Sequence, residues 1–304
     1  MKLTNLKAFI ADSKARFSIL SSRGFLNRMS DETYLKKCFE LYLGKPLNLD
    51  NPTTYNEKIQ WLKLHDRRNI YTTMADKYEA KRYVAERIGE EYIIPTLGVW
   101  NKFDEIDFEN LPDQFVLKCT HDSGGLVIVT DKAKMNVKEA RNKINKSLRR
   151  NYYYRGREWQ YKNISPRIIA EKYIANADGT HPQDYKFFCF NGVAKIMYIV
   201  SDRYANHEMT YDFYDMNFEK LPFRSIHPNS NIEIDKPLNF EKMRELAEKL
   251  SAGFPHIRVD FYDINGRIYF GELTLAHGSG FEYFEPYEWD KKLGDWLELP
   301  KLKQ

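Results

Sequence analysis

Two acids near the end of the chain raise the first chemical question. Asp260 and Glu272 fall within RVDFYDINGRIYFGELT, where Arg258 to Ile264 alternates polar and apolar residues and Arg267 to Leu275 resumes an apolar run. Asn265-Gly266 between them supplies the φ > 0 pair of a two-residue hairpin. The hairpin would place Asp260 and Glu272 on neighbouring strands, with Arg258 two residues before the first acid. Mg²⁺ takes one or two carboxylates and completes its octahedron with water and phosphate oxygens, so the pair is a candidate seat for Mg²⁺ on a nucleoside triphosphate. The alternative is two solvated acids on an edge strand. Their strongly apolar neighbours count against it, because acids in such strands are rarely buried without a partner or a metal.

A second candidate is Lys118 to Val129, KCTHDSGGLVIV: a strand carrying Lys118, a small loop Ser123-Gly124-Gly125, and another strand. Glycine lets backbone N–H groups approach an anion, and a strand-borne Lys adds fixed positive charge; together they would clamp phosphates. An ordinary hairpin tip has the same composition. His277, in LAHGSG just beyond Glu272, is a candidate for taking a proton from an attacking amine, with an unperturbed pKa of about 6.5. It is equally a loop histidine bonded to backbone. The segment Arg141 to Lys162 holds eight Lys and Arg, Arg155 and Arg157 among them, against Glu158, interleaved with Tyr152, Tyr153, Tyr154, Trp159 and Tyr161. That mixture suits a polyanion whose units stack, or else a solvated helix end followed by a mobile loop.

The elements that must carry these residues follow from periodicity and punctuation. Ser30 caps a helix from Asp31 to Leu43, stopped at Gly44, and Thr54 with Glu57 forms a capping box for a helix from Tyr55 to His65. Asp76 to Ile88 has the apolar spacing of one helix ended by Gly89. Strands are expected around Tyr92 to Trp100, interrupted by Pro95, and over Gln114 to Thr120 and Arg167 to Ile174. Tyr185 to Phe190 and Val193 to Val200 follow, joined by the hairpin signal Asn191-Gly192, and Tyr211 to Tyr214 is a further short strand. Asn239 caps a helix from Phe240 to Ser251, and Tyr287 to Leu297 is a short amphipathic helix.

Composition excludes several classes. The net charge of +4 over 304 residues is too small to indicate a general nucleic-acid binder. Cys38, Cys119 and Cys189 form no CxxC pattern, which fits neither a disulfide framework nor a zinc ribbon and suits a reducing cytoplasm. No HExxH, GxSxG, Walker A or GxGxxG motif occurs. No run reaches a membrane span, and no hydrophobic signal core stands at the start, so the expected location is the cytoplasm. Residues 1–30 carry six Lys and Arg against Asp12, with apolar residues at near-helical spacing. They would form a basic amphipathic helix at the inner face of a membrane, or a helix packed on the body.

The order of parts is itself informative: Lys118 and its glycine loop, a strand ending IIAEKYI, the Lys186 hairpin, then the two carboxylates. That order resembles the ATP-grasp superfamily. More narrowly, FVLKCTHDSGG, IIAEKYI, DYKFFCFNG, RVDFY and FGELT with HGSGF are similar to its TupA-like (teichuronopeptide biosynthesis) branch from bacterial capsule and surface-polysaccharide clusters. The similarity runs over roughly Asn51 to Trp289. It implies an α+β fold in which two lobes clasp ATP, with an N-terminal helical extension: residues 1–70 helical, 71–112 a preceding segment, 113–170 the small subdomain and 171–304 the large subdomain with the metal site.

It also implies roles. Lys118 would touch the α- and β-phosphates under Ser123, Gly124 and Gly125. Glu171, Lys172, Tyr173 and Ile174 would be the hinge that reads adenine. Lys186 and Arg258 would face the γ-phosphate and the carboxylate substrate. Asp260 and Glu272 would hold one or two Mg²⁺ ions, with Thr274 standing where many relatives have an Asn ligand. Asp184, Asp202, Arg203 and the turn Gly278-Ser279-Gly280 would meet the acceptor, and the Arg155 and Arg157 segment would close over the site as a lid. The implied reaction is ATP-dependent ligation of an amine or amino acid to a uronic acid of a glycan precursor through an acyl phosphate. A glycosyltransferase and a non-catalytic polyanion-binding protein are the alternatives. The first should show a DxD pair, which Asp260 and Asp263 are too far apart to make.

Overall fold

The computed structural model describes residues 12–201 and 209–301. Asp202, Arg203 and the first part of the basic N-terminal stretch lie outside the described residues. Helices α1 (Ser13–Ser22) and α2 (Asp31–Leu43) begin the described chain. Ser30 Oγ accepts the Thr33 N–H at 3.2 Å, and Gly44 ends α2 at φ 70°, a conformation that favours a residue without Cβ. Helix α3 (Tyr55–His65) starts at the expected capping box, with Thr54 and Glu57 satisfying each other's backbone donors.

The helix expected over 76–88 is α5 (Glu79–Ile88), starting three residues later, and it is preceded by a helix the sequence reading did not place, α4 (Ile70–Ala75). Asp76 separates the two by accepting the N–H groups of Tyr78 at 2.9 Å and Glu79 at 3.3 Å. Its other oxygen takes Arg167 at 2.9 Å. A side chain that bonds its own following backbone competes with the helix it interrupts.

Strands β1 (Thr96–Trp100), β2 (Phe115–Cys119), β3 (Leu126–Val129) and β4 (Ile168–Lys172) make an antiparallel sheet in the order β1-β4-β2-β3. Between β3 and β4 run helix α6 (Val137–Leu148) and the short α7 (Tyr153–Gly156). Ala140 and Ile144 of α6 pack on Phe115, Leu117 and Cys119.

The second sheet holds β5 (Asp184–Phe190), β6 (Val193–Ser201), β7 (Thr210–Asp215), β8 (His256–Ile264) and β9 (Arg267–Thr274), ordered β7-β6-β5-β8-β9. Both hairpin turns have the expected left-handed pairs, Asn191 and Gly192 at φ 50° and 82°, Asn265 and Gly266 at φ 53° and 78°. Helix α8 (Phe240–Ser251) covers one face of the sheet together with α5; α3 and α9 (Glu288–Trp296) cover the other. This explains why β5 is buried along its whole length: Phe187 and Cys189 enter one core, Phe188 and Phe190 the other. Asn239 does not cap α8 with its side chain, because its amide is spent on Asp263 at 3.1 Å. The fold class is the expected α+β with two antiparallel sheets.

Candidate active site

The period of two along a strand decides which side chains share a face. On β5 it aligns Asp184 and Lys186, on β8 Arg258 and Asp260, and the register sets Lys186 opposite Asp260 and Asp260 opposite Glu272. One row thus crosses three strands. Asp260 is 1% exposed and lies on β8, an inner strand and not an edge. Arg258 grips it with two donors, Nε to Oδ1 and Nη2 to Oδ2, both at 2.7 Å, and Lys186 bonds its Oδ2. Burial pushes the Asp260 carboxyl up, but Arg258 and Lys186 outweigh it and hold the pKa below the ordinary value. Arg258 Nη2 also donates to Glu272 Oε1 at 2.7 Å, while the Glu272 side chain keeps 45% of its surface exposed. A cavity of ≈ 210 Å³ opens here, lined by Asp184, Lys186, Arg258, Asp260 and Glu272 with Tyr198, Tyr211 and Tyr262.

Facing these groups is a basic wall from the first sheet and the α4–α5 junction. Glu171 lies between two lysines, Lys118 Nζ at 2.5 Å and Lys81 Nζ at 2.6 Å. Burial raises the Glu171 pKa, yet Lys118 and Lys81 overcome this and leave it at about 2. Lys118 loses by burial and gains more from Glu171, then Glu272 and Asp184, so its pKa is raised. Lys77 donates to the Asp122 carbonyl. Burial lowers its pKa against the opposing pull of Glu272 and Asp122. One wall therefore presents three ammonium groups against one carboxylate, and the other two cations against three carboxylates.

The sequence reading missed Lys77 and Lys81. For Lys81 the signal was there: it falls on the stripe 80, 81, 84 and 88 of α5, otherwise taken by Ala80, Val84 and Ile88, whereas Lys77 lies in the turn before that helix. A lysine on the apolar stripe of a helix demands a counter-charge from elsewhere in the fold.

Several expected roles change. Ser123 Oγ bonds Tyr152 OH at 2.7 Å, and the Gly125 N–H is taken by Asp122 Oδ1 at 3.0 Å. A Cβ at Gly125 would sit 2.4 Å from Cys119 Sγ, so this glycine serves packing and not a phosphate cradle. Gly124 is the open one, with only Asp122 Oδ2 at 3.6 Å from such a Cβ. Thr274 Oγ1 donates to Glu272 Oε1 at 3.0 Å and orients that carboxylate.

His277 is buried, with Nδ1 2.7 Å from Arg258 Nη1 and Nε2 3.0 Å from Glu282 Oε2. Arginine only donates, so the Nδ1 lone pair is committed and the expected general base is not available. The turn Gly278, Ser279 and Gly280 has φ 54°, 56° and 68°. Gln60 and Lys63 of α3 take the Ser279 carbonyl at 3.0 and 2.8 Å, and Gln60 also takes that of Gly280 at 2.6 Å.

Arg157 is 2% exposed and donates Nη2 to the Leu26 carbonyl at 2.7 Å, with its guanidinium 4.5 Å from the Tyr34 ring centre. It is a pin between α7 and the N-terminal helices, not a group for substrate. Tyr153 OH reaches Asp31 Oδ1 at 2.5 Å, and Tyr34 OH bonds the Arg155 carbonyl at 3.1 Å, so the expected mobile loop is docked. The Arg155 side chain is exposed. Lys172 is exposed at the end of β4 and, with half-buried Tyr173 and Ile174, leads into the connection between the two sheets.

Among the described residues no group of three or more His, Cys, Asp and Glu side chains is gathered as for a metal ion. The donor set nonetheless fits Mg²⁺, which needs only one or two protein carboxylates beside phosphate oxygens. Glu272 is exposed beside Asp260 and lines the same cavity. Among the described residues no helix is long and apolar enough to cross a membrane.

Comparison with known proteins agrees with this architecture. The TupA-like ATPgrasp family model matches residues 57–298. The chain belongs to that family. A search of curated proteins finds no match. Among solved structures, D-alanine–D-alanine ligase from Helicobacter pylori is 15% identical, with 80% of this chain and 69% of that chain covered and a TM-score of 0.43. L-amino acid ligase from Bacillus licheniformis is 13% identical, with 84% and 57% covered and a TM-score of 0.46. D-alanine–D-alanine ligase from Bacillus anthracis, complexed with ATP, is 13% identical, with 94% and 92% covered and a TM-score of 0.43. The chain thus spans little more than half the length of the L-amino acid ligase.

Proposed function

We propose that this ATP-grasp ligase joins the carboxylate of a uronic acid, in a bacterial surface-polysaccharide precursor, to a small amine or amino acid. The observation that carries the reading is the pair of opposed walls: lysines 77, 81 and 118 on one side, Asp184, Asp260 and Glu272 with Lys186 and Arg258 on the other. A triphosphate between them meets ammonium groups along its length and carboxylates at the end where divalent metal is needed. Glu272 and Asp260 would hold Mg²⁺, which when bound neutralises developing phosphoryl charge.

A carboxylate is a poor electrophile, since its charge is delocalised and it has no good leaving group. Its oxygen attacks the γ-phosphorus, the bond to the β–γ bridging oxygen breaks, and ADP departs. The amine then adds to the acyl carbon, phosphate leaves, and the nitrogen gives up a proton. Lys186 and Arg258 contribute mainly charge and position to these steps. Among the described residues the cavity side chains are charged or phenolic, with no aliphatic one, which suits a hydroxyl-rich carboxylate better than an apolar amino acid. In the same proposal, Glu171 to Ile174 read adenine, the chain divides at residues 1–70, 71–112, 113–170 and 171–304, and residues 1–30 rest on the inner membrane face.

The test is release of ADP and phosphate from ATP and Mg²⁺ that requires both a uronate and an amine. Absence of ATP consumption across a broad set of such pairs defeats the reading. A sugar nucleotide stabilising the protein where ATP does not would point to glycosyl transfer instead.

A further inference from the structure

We propose that His277 and Glu282 are positioning residues that hold the Arg258 guanidinium through one imidazole tautomer. The inference rests on the reading of Arg258 as part of a ligase site. Of the five N–H donors of Arg258, one Nε and two Nη2 hydrogens serve Asp260 and Glu272, and one Nη1 hydrogen goes to His277 Nδ1. A single Nη1 donor is left, on a side chain that lines the cavity. Its direction depends on what fixes the other Nη1 hydrogen.

That anchor is His277. An acceptor at Nδ1 places the proton of the neutral ring on Nε2, which makes no aligned hydrogen bond and meets Glu282 Oε2, 3.0 Å away, as a nearby charge. The Glu282 carboxylate accepts Ser225 Oγ at 3.0 Å. Phe188 and Tyr198 enclose the imidazole, with ring centres 4.8 and 5.6 Å away. Ser225 and Glu282 thus stand behind the ring of His277, whose bond to Arg258 reaches the cavity. A protonated His277 would set N–H against N–H at Arg258 and break it. A histidine committed in this way supplies direction and not proton transfer.

His256 provides an internal contrast. It bonds the Cys189 carbonyl through Nδ1 at 3.0 Å and Tyr55 OH through Nε2 at 2.9 Å, which is the opposite tautomer. Nitrogen-15 NMR of the full chain with labelled histidine should show His277 with hydrogen on Nε2 and not on Nδ1, and His256 the reverse, each assigned by substitution. Hydrogen on His277 Nδ1 at neutral pH overturns the proposal whether or not any ligase activity is found.

Turnover supplies the second arm. His277→Asn places an amide oxygen near the Nδ1 position and keeps an acceptor for Arg258, whereas His277→Gln places its amide nearer Nε2. The expected result is kcat close to wild type for His277→Asn and about a hundredfold lower for His277→Gln, with both melting near wild type. Equal large losses in two folded variants would mean that the imidazole itself moves a proton, and full activity in both would mean that Arg258 needs no anchor; either overturns the proposal. A wild-type protein inactive with every acceptor counts against the ligase reading, and the NMR result still judges the tautomer.

Discussion

Lys118 on β2 and Glu272 on β9 belong to different sheets, and the charge of Glu272 still helps to keep the Lys118 ammonium protonated. The two sheets therefore bring opposite charges within electrostatic reach of each other at this point. Glu272→Gln removes a charge from that shared space without opening a core, since the side chain is 45% exposed. Turnover should fall by about a hundredfold or more while the melting temperature moves little. Normal ADP release by the variant would refute the metal assignment.

Asp260 gives the opposite pattern. It is buried against Arg258 and Lys186, so Asp260→Asn leaves two interior cations short of counter-charge. Urea unfolding should show a loss of about 3 to 5 kcal/mol, in contrast to Glu272→Gln. An unchanged unfolding midpoint would show that the Arg258 grip is not formed in solution.

Acid should weaken the molecule through Glu171 and Glu282. Both carboxyls lie at about 2 in the folded chain against an ordinary 4.5. A depressed carboxylate contributes stability that is complete above its ordinary pKa and fades as the pH falls toward the folded value. Stability should therefore decline between about pH 4.5 and about pH 2, and Glu171→Gln should flatten part of that slope in unfolding titrations. An identical slope in the variant would show that Glu171 is not held by Lys81 and Lys118.

The two glycines of the Ser-Gly-Gly loop should separate. Gly125→Ala drives a methyl against Cys119 Sγ and Ser147 Oγ and should cost about 1 to 3 kcal/mol in thermal or urea melts. Gly124→Ala meets only Asp122 Oδ2 at ordinary contact distance and should leave stability nearly unchanged. If instead Gly124→Ala destabilises more, the packing account of this loop is wrong.

The row of side chains on β5, β8 and β9 was legible because a period of two and an Asn-Gly turn fix register locally: Asp260 faces Glu272 as the hairpin requires. The capping box at Thr54 and the stop at Gly44 were legible for the same reason, each being set by residues a few positions apart. The later start of α5 was not, because Asp76, whose bonds to Tyr78 and Glu79 precede it, is itself held by Arg167, ninety-one positions away. His277 and Arg157 failed in the same manner. Residue type suggested a base and a cation of a substrate-covering lid, while their partners Arg258, Glu282 and Leu26 are supplied only by the folded chain. Lys81 was visible as a lysine on an apolar stripe, and Glu171 on β4 is what makes sense of it there.

The guanidinium of Arg157 sits between Tyr34 and the Leu26 carbonyl like a rivet through two plates. The basic, aromatic strip and the opening helices are fastened into a single wall, so the strip cannot swing aside by itself to admit a bulky acceptor. Whatever motion gives entry has to carry that whole wall, or leave it still and move the sheet of Lys118 across it. Trimming the first helices for convenience would consequently disturb the approach to the chemistry, far from any residue that performs it.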